Sequence, residues 1–368
     1  MSVAPDALVA TLSRHIGLSN DRCLTLAAVI TGLISMRTVN LSHLAGCFCG
    51  PAKLTSNYRR LQRFFQYVRL DEAWLARSLV ALVKLAPPYR LCLDRTNWKV
   101  GARDINLLVL CIVTRRVRIP VLWSTLEGRG CSSIKEREAL IERYIAIFGR
   151  GSIRTLLADR EFIGAKWCEF LVENNIPFAI RVRAELIVVL DDGRTAPLSS
   201  LTRRKSSLHR LAGQKGRFQG MEERFAGTLA FAAKRRGDGT LIIVATNRQP
   251  RLALHDYKKR WQIECLFGDT KTRGFNMEDT RMTQPAKLGL LTAIVALAMA
   301  WAHACASTVK GKADIPRANH GYRRKSWFRT GFDILRNWIV HRPRSAILLW
   351  NAMWRRLIKQ TKKPIRVV

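Results

Sequence analysis

The stretch Tyr257–Lys271, YKKRWQIECLFGDTK, decides how the rest of this chain is interpreted. Lys, Arg, Gln and Leu favour a helix, and the single glycine lies near its end, so we expect one continuous helix. At about 100° per residue, four polar side chains fall within roughly 60° of one another: Tyr257, Arg260, Glu264 and Lys271. A carboxylate flanked by two cations and a phenol suits a metal-binding acid beside a phosphodiester. A solvated helix face with i,i+4 ion pairs gives the same pattern, so the rest of the chain must decide.

The composition points to a polyanionic partner. The 368 residues include 63 Lys and Arg against 27 Asp and Glu, which gives a formal net charge of +36. Such a charge on a chain with an ordinary apolar fraction favours nucleic acid as the partner. The nine cysteines include no C-x-x-C pair, so we expect reduced thiols in a cytoplasmic protein rather than a zinc site or disulfide framework. No secretory signal is apparent at the N-terminus.

One segment is long and apolar enough to be taken for a membrane span. Residues 288–309, LGLLTAIVALAMAWAHACASTV, contain no Asp, Glu, Lys or Arg. They are rich in Ala and include His303 and Ser307, and the chain has no second segment of this kind. A helix buried against a sheet has the same composition. We therefore expect a core helix and no membrane partner.

Residues 1–88 have the apolar spacing of several helices, and Pro87-Pro88 closes the region. Within it, residues 41–45, a turn at 46–51 and a helix over Leu54–Val68 resemble a helix-turn-helix. The second helix carries three arginines that suit phosphates and base edges: Arg59, Arg60 and Arg63. A plain helical bundle with a basic face fits equally well. Either arrangement predicts a positive surface for DNA.

From Tyr89 the pattern changes to short β-rich runs that alternate with helices, which predicts a mixed α/β sheet. The predicted strands are Tyr89–Leu93, Ile105–Val113, Arg118–Trp123, Arg154–Ala158 and Phe178–Val182, and the predicted helices are Ile134–Phe148 and Ala165–Asn174. Asp94 directly follows the first strand and Asp159 the fourth. Acids at the ends of buried strands lie where α/β proteins place their sites, although either aspartate alone also fits a turn or helix cap.

Two strand-end aspartates and a glutamate on a basic helix suit two divalent metal ions in phosphodiester chemistry. Carboxylate oxygens are the ligands that Mg²⁺ prefers. A pair of such ions activates a water or a 3′-hydroxyl and stabilises the leaving oxygen. The three acids, Asp94, Asp159 and Glu264, are therefore the candidate catalytic residues and metal ligands.

These residues resemble the DDE transposases of bacterial insertion sequences, in the group with the Y-R-E-K signature. The likeness rests on Asp94, the run DREF from Asp159, and Tyr257-x2-Arg260-x3-Glu264-x6-Lys271. It covers residues 89–305. The resemblance implies a ribonuclease-H-like core that uses Mg²⁺, with Mn²⁺ as the alternative. It also implies a dimer in a synaptic complex that cuts double-stranded DNA at inverted repeats and joins the 3′ ends to a target.

The same resemblance implies further contacts with transposon-end DNA. Tyr257, Arg260 and Lys271 would lie near the scissile phosphate, and Arg160 and Arg181 are further candidate phosphate contacts. In well-studied relatives a tryptophan in the last strand of an insertion stacks on a flipped base, but the corresponding run here, residues 241–244, is LIIV. Trp261 is the alternative stacking residue, and a core aromatic is the other interpretation of this side chain.

The resemblance and the composition together divide the chain into five parts. We expect a helical DNA-binding region, two parts of the catalytic core separated by a β-rich insertion, and a basic helical tail with four tryptophans. The DNA-binding region is 1–88, and the two parts of the core are 89–183 and 251–309. The insertion is 184–250 and the tail is 310–368. The basic loop 203–218 suits DNA backbone or a solvated hairpin tip. The tail suits DNA contact, self-association or, less well, a membrane surface.

Two other functions remain open at this stage. A structure-specific nuclease with the same acids would cut DNA without joining its ends to a target. A catalytically inactive relative would bind DNA and leave it unchanged in the presence of Mg²⁺.

Overall fold

Ten strands within the described residues form one mixed sheet, and helices cover its faces. The computed structural model describes residues 6–202, 215–319 and 321–360. The strands are β1 (Tyr89–Val100), β2 (Arg103–Val113), β3 (Arg118–Leu126), β4 (Ile153–Ala158), β5 (Phe178–Val182), β6 (Ile187–Leu190), β7 (Thr195–Pro197), β8 (Lys215–Phe218), β9 (Leu229–Arg235) and β10 (Leu241–Thr246).

The helices fall into an N-terminal set, a set on the sheet and a C-terminal pair. They are α1 (Asp6–His15), α2 (Asn20–Met36), α3 (Leu41–Leu44), α4 (Leu54–Tyr67), α5 (Glu72–Leu82), α6 (Ile134–Phe148), α7 (Ala165–Glu173), α8 (Pro250–Tyr257), α9 (Trp261–Thr270), α10 (Pro285–Lys310), α11 (Trp327–His341) and α12 (Pro343–Gln360). The prediction of a mixed α/β fold is confirmed.

The strand order is β3-β2-β1-β4-β5-β10-β9-β8-β6-β7. The first three strands are antiparallel, β1, β4 and β5 are parallel, and the remaining strands continue antiparallel from β5. Strand β2 is buried from Ile105 to Val113 and apolar throughout Leu107–Val113, as expected for a strand covered on both faces. Residues 184–250, predicted to be rich in β-structure, contain β6 to β10, and these strands extend the same sheet.

The first strand is longer than predicted, which corrects the position of Asp94. Strand β1 continues to Val100 because residues beyond Asp94 pair with β2 in an antiparallel hairpin. The parallel pairing of β1 with β4 stops at Leu93 opposite Ala158. Asp94 therefore lies inside β1, at the point where its parallel neighbour ends. Asp159 does follow β4 directly, as predicted.

The apolar segment predicted as a core helix is the buried centre of the molecule. Among the described residues, α10 is the one helix that is by itself long and apolar enough to cross a membrane, and 94% of its most apolar 18-residue stretch is buried inside the protein. It packs against β3 and against α2, α5 and α11. The helix therefore joins the sheet to both the N-terminal and the C-terminal helices.

Helix α11 approaches α10 so closely that its contact residue must be a glycine. A Cβ atom built on Gly331 would overlap the backbone carbonyl oxygen of Ala302. Small residues at a helix crossing allow backbones to approach in this way. The Gly331–Ala302 contact therefore fixes how α11 sits on α10.

The C-terminal tail folds back on the N-terminal helices. Trp350 and Trp354 of α12 are almost fully buried, and α12 packs against α1 and α5. The hydroxyl of Thr11 on α1 donates a hydrogen bond to the side-chain oxygen of Asn351 at 2.6 Å. These tryptophans therefore stabilise the protein's own core and are not available to stack on DNA or enter a membrane.

The stretch Tyr257–Lys271 is not the single helix that the sequence predicts. Helix α8 ends at Tyr257, a 3₁₀ turn covers Lys258–Arg260, and α9 begins at Trp261. Lys271 is the residue after α9 and has a non-helical backbone, with φ −92° and ψ −137°. A 3₁₀ turn winds more tightly than an α-helix, so the spacing of side chains on one α-helical face does not apply across it.

Two features of the N-terminal region and the insertion complete the comparison with the sequence. The predicted second helix of the helix-turn-helix is α4. Its residue Asn57 would suit a base contact by residue type, but the side chain is buried. The amide of Asn57 donates a hydrogen bond to the backbone carbonyl of Ala45 at 3.4 Å. Residues 203–214 of the predicted basic loop lie outside the described residues, and residues 215–218 form β8.

Candidate active site

Strand pairing places the two aspartates side by side. Because Leu93 and Ala158 are partners in the parallel β1–β4 pair, the residues that follow them, Asp94 inside β1 and Asp159 directly after β4, lie next to each other on neighbouring segments. Asp94 also accepts a hydrogen bond from the backbone N–H of Arg95 at 2.8 Å. The two carboxyl groups thus face a common region beyond the end of β4, next to the 3₁₀ turn before α9.

Tyr257 connects the second aspartate to the end of α8. Its hydroxyl donates a hydrogen bond to Oδ1 of Asp159 at 3.2 Å. Burial of the ring, together with the charge of Asp159, raises the pKa of Tyr257 above its usual value. The phenol therefore keeps its proton at physiological pH and acts as a donor that orients the carboxylate.

Arg260 connects the other two acids. Its Nη2 donates to Oε1 of Glu264 at 2.5 Å, and its Nη1 lies 3.6 Å from Oδ2 of Asp94. The arginine side chain is only 11% exposed. A single guanidinium thus bridges a strand carboxylate and a helix carboxylate that are 170 positions apart in the sequence (264 − 94). The predicted grouping of Arg260 and Glu264 with Asp94 is therefore present in the geometry.

The environment of Asp94 disfavours its charged form. Burial raises the pKa of Asp94 to about 7, and the nearby charges of Glu161 and Asp159 act in the same direction. The backbone N–H of Arg95 and the guanidinium of Arg260 act in the opposite direction. A buried carboxyl surrounded by other acids is a place where additional positive charge is stabilising.

The three acids do not form a ready-made cluster. Within residues 6–202, 215–319 and 321–360, no group of three or more His, Cys, Asp or Glu side chains is placed so that it could hold a metal ion. Glu264 faces Arg260, and Asp159 faces Tyr257. The donor chemistry nevertheless fits a divalent cation, because all three groups offer hard oxygen ligands and the site already accommodates one cationic side chain among them.

Lys271 lies apart from the carboxylates. Its ammonium group donates to the backbone carbonyl of Asn97 at 3.1 Å and pairs with Glu278 at 2.8 Å. It also lies 5.9 Å from the ring centroid of Trp98. Lys271 is thus held along the β1 hairpin, several residues beyond Asp94, and not on the helix face with Glu264.

The other predicted DNA contacts have different degrees of exposure. Trp261 is 59% exposed at the start of α9, which rules out the core-aromatic interpretation of this residue. Arg160 is exposed directly after Asp159, whereas Arg181 on β5 is partly buried. The charge of Arg181 is close enough to Tyr257 to lower the pKa of that phenol against the effect of burial. The use of these side chains in DNA binding stays a prediction.

The N-terminal arginines lie on α4, away from these acids. Arg59 and Arg63 are exposed, and Arg60 is partly buried with its guanidinium 5.8 Å from the ring centroid of Phe48. Arg59 also donates to the side chain of Gln62 at 3.0 Å. Their use in DNA binding stays a prediction.

Two ion pairs that support the site could not be found from the sequence. Arg95 donates to both carboxylate oxygens of Glu161, at 2.8 and 2.9 Å, and joins β1 to the turn after Asp159. Arg118 on β3 pairs with Asp269 on α9 at 2.6 Å, and both side chains are buried. The second pair joins residues 151 positions apart, and no local sequence pattern marks such a contact.

Comparison with known proteins identifies the family. Residues 86–301 match the model of the transposase DDE domain, which covers more than half of the 368 residues. The chain therefore belongs to the DDE transposase family, whose members are enzymes that cut and move DNA. The predicted resemblance to DDE transposases is confirmed, whereas membership of the Y-R-E-K group stays a prediction.

Other comparisons give less. No curated protein matches the chain. Among solved structures, the chain is similar to the piggyBac transposase in a cryo-EM structure of its synaptic complex with hairpin DNA. The identity is 12%, the TM-score is 0.44, and the similarity covers 99% of this chain and 79% of that one.

Proposed function

We propose that this protein is a DNA transposase that binds the terminal inverted repeats of its own insertion sequence, cleaves the DNA ends with divalent metal ions and joins the 3′ ends to a target. The observation that carries the proposal is the bridge from Arg260 to both Asp94 and Glu264. It draws together, from distant parts of a family-matched domain, two of the three acids that the sequence singles out. Double-stranded DNA is the proposed substrate, a homodimer the proposed active form, and the cytoplasm the proposed location.

The proposed core is ribonuclease-H-like. Its strands would be β1 to β5, in the order β3-β2-β1-β4-β5, with the candidate acids on β1, after β4 and on α9. Strands β6 to β10 would then be an insertion between the second and third acids. The order of the ten strands supports this division because the insertion continues from the β5 edge and leaves the β1–β4 junction open.

The proposed metal ligands are Asp94, Asp159 and Glu264. When bound, Mg²⁺ or Mn²⁺ would supply a nucleophile at neutral pH and stabilise the leaving oxygen of the phosphodiester. Arg260 limits the repulsion between the carboxylates of Asp94 and Glu264, and Tyr257 holds Asp159 through its hydroxyl. The exposed Arg160 and Trp261 offer the flanking DNA a phosphate contact and a stacking surface, respectively.

A cleavage assay with matched variants tests the proposal. The substrate is labelled DNA from both flanks of the protein's own gene, with and without Mg²⁺. We expect metal-dependent nicks at inverted-repeat boundaries and at least a roughly 100-fold loss of rate in Glu264→Gln. DNA binding should persist in that variant, since the basic surface is unchanged. Glu142→Gln on the exposed face of α6 makes the same chemical change away from the site and should cut normally.

The outcomes separate the three functions. Cutting by Glu264→Gln at the parental rate would show that the catalytic assignment is wrong. Cutting without transfer of the 3′ ends to a supercoiled target plasmid would identify a nuclease. Binding of the flanks by the parental protein without cutting would identify an inactive relative.

A further inference from the structure

A pocket of about 430 Å³ opens between α4 and the segment that leads into α10. Three cationic side chains line it, together with the rings of Tyr58 and Tyr67. Arg63 comes from α4, Arg281 from the segment before α10, and Lys287 from the first turn of α10. The other polar lining groups are amides and a hydroxyl, and no described residue that lines the pocket is acidic.

The cations of this pocket are available for a ligand. Within the described residues, the side chains of Arg63, Arg281 and Lys287 have no ion pair, although 20 such pairs occur elsewhere. Arg63 and Arg281 are exposed, and Tyr67 is 68% exposed. Three unpaired cations around an open pocket repel one another. An anion with several charges would relieve this repulsion.

The pocket has a defined position relative to the candidate active site. Its wall includes Thr283, whose hydroxyl accepts a hydrogen bond from Arg103 at 3.2 Å. Arg103 is the β2 partner of Val100 at the tip of the β1–β2 hairpin. Val100 lies six residues beyond Asp94 on β1 (100 − 94), which is about 20 Å along a strand.

We propose that this pocket binds the backbone of the transposon-end duplex about six base pairs from the cleaved phosphate. In the proposed arrangement the duplex runs along β1, so that 20 Å corresponds to about six base pairs of B-DNA, which rises about 3.4 Å per base pair. The inference rests on the proposed function, which places the cleaved phosphate at Asp94. Arg63, Arg281 and Lys287 contact phosphates, while the amides and Tyr67 contact sugars and phosphate oxygens.

Double-stranded DNA is favoured over a small anionic ligand by the shape and composition of the pocket. Its opening lies between the predicted DNA-binding helix α4 and the chain that follows Lys271, so a linear polyanion that reaches one of these elements also reaches the other. Arginine, glutamine and tyrosine side chains in one groove are typical of contacts to a nucleic-acid backbone. The pocket thereby joins the N-terminal region and the catalytic core into one DNA-binding surface.

Phosphate ethylation interference and salt titration test this proposal. The probe is the labelled duplex from the flanks of the gene, bound by Glu264→Gln protein with and without Arg281→Ala/Lys287→Ala. We expect ethylation about six base pairs inside the cut to block binding of the first protein, and this effect to disappear in the second. The slope of log K against log salt should become shallower by about 2, since two phosphate contacts are lost.

A matched control removes two positive charges elsewhere. Arg150 and Arg248 are exposed at the opposite ends of the central strands. Arg150 precedes β4, and Arg248 follows β10 next to the start of β5. Arg150→Ala/Arg248→Ala should leave the interference pattern and the salt slope unchanged. A slope reduced equally by both double variants would show that the pocket adds only general charge and would overturn the proposal.

The remaining outcomes separate this inference from the proposed function. If the parental protein cuts the flanks but the pocket variant keeps the parental interference pattern, the pocket does not bind the end and the transposase proposal stands. If the pocket variant loses the contact but the parental protein never cuts, the pocket is a DNA site and the catalytic proposal is wrong. If Glu264→Gln cuts at the parental rate and the pocket variant keeps the parental interference pattern, both the catalytic proposal and the pocket proposal are wrong.

Discussion

The guanidinium of Arg118 holds the carboxylate of Asp269 inside the protein, with Nε and Nη2 at 2.7 and 2.6 Å from Oδ2. The exposed fractions of the two side chains are 6% and 4%. Asp269 follows Glu264 by five residues on α9 (269 − 264), so this pair fixes the helix that carries the third candidate acid to β3. A third contact, from Arg118 to the side chain of Gln262 at 3.3 Å, adds to the attachment.

Replacing only one partner of the Arg118–Asp269 pair should destabilise the protein more than replacing both partners. Arg118→Met or Asp269→Leu leaves one buried charge without its partner, and we expect each to lower the free energy of unfolding by about 3 to 5 kcal/mol. The double variant removes both buried charges of this pair, so neither is left without its partner. It should have a higher thermal midpoint than either single variant. Thermal denaturation of the three proteins checks this order. Additive losses in the double variant would contradict it.

Arg260 should not be replaceable by lysine. A lysine keeps the positive charge but lacks the forked guanidinium that reaches Asp94 and Glu264 together. We expect Arg260→Lys to lower the rate of metal-dependent cleavage by about 10-fold or more while binding of the DNA ends changes little. Cleavage rates at saturating protein and gel-shift binding measure the two effects. Arg150→Lys, at an exposed arginine away from the acids, is the control, and equal losses in both variants would argue against a bridging role.

His303 should make the protein less stable in mild acid. Its Nε2 lies 3.0 Å from the carbonyl oxygen of Arg118, and since a carbonyl can only accept, the ring donates. Burial, followed by the charge of Arg118, lowers the pKa of His303 from 6.5 to about 3. Between these values the unfolded chain binds a proton that the folded chain does not. Stability is therefore lost as the pH falls below 6.5, by up to about 1.4 kcal/mol per pH unit.

The variant His303→Gln separates this effect from other titrations. Glutamine can donate from nearly the same position as Nε2 but carries no titratable proton. The thermal midpoint of the parental protein should fall relative to that of the variant as the pH is lowered from about 8 to about 5. Midpoints that change in parallel over this range would show that His303 does not contribute.

Gly331→Ala should separate α11 from α10. The new methyl group would overlap the carbonyl of Ala302, and we expect a loss of about 1 to 3 kcal/mol. Gly289→Ala, on α10 itself, is the matched control because its nearest neighbour would be Trp123 Nε1 at 3.7 Å. There the higher helix propensity of alanine should leave the protein as stable or more stable. Urea unfolding of the two variants decides between local overlap and a general effect of added methyl groups.

The elements that could be predicted are those with a local signal. Helix α6 and strand β5 have their predicted bounds because each is one apolar pattern between clear breaks. The length of β1 could not be predicted, since four of the six residues of its second half, RTNWKV, are polar and the segment becomes a strand through pairing with β2. The 3₁₀ turn before α9 consists of Lys258, Lys259 and Arg260, which are all good helix formers, so composition does not reveal it.

The candidate site shows the same division between local and distant information. The acids and Arg260 could be selected by residue type and spacing, because Asp94, the DREF run from Asp159 and the spacing from Tyr257 to Lys271 occur together in one chain. Their supporting contacts could not, since Arg95–Glu161 and Arg118–Asp269 depend on the sheet order and on where α9 lies. The exposure of Trp261 likewise follows from the start of α9 at that residue.

The hydrogen bond from Thr11 to Asn351 spans 340 positions of the chain. During synthesis, α1 and α5 leave the ribosome long before α12 exists to cover their apolar faces. The apolar faces of α1 and α5 that α12 covers therefore stay exposed until almost the whole polypeptide has been made. A messenger cut short before the codons for α12 would yield a product prone to aggregation and degradation rather than a smaller DNA-binding protein.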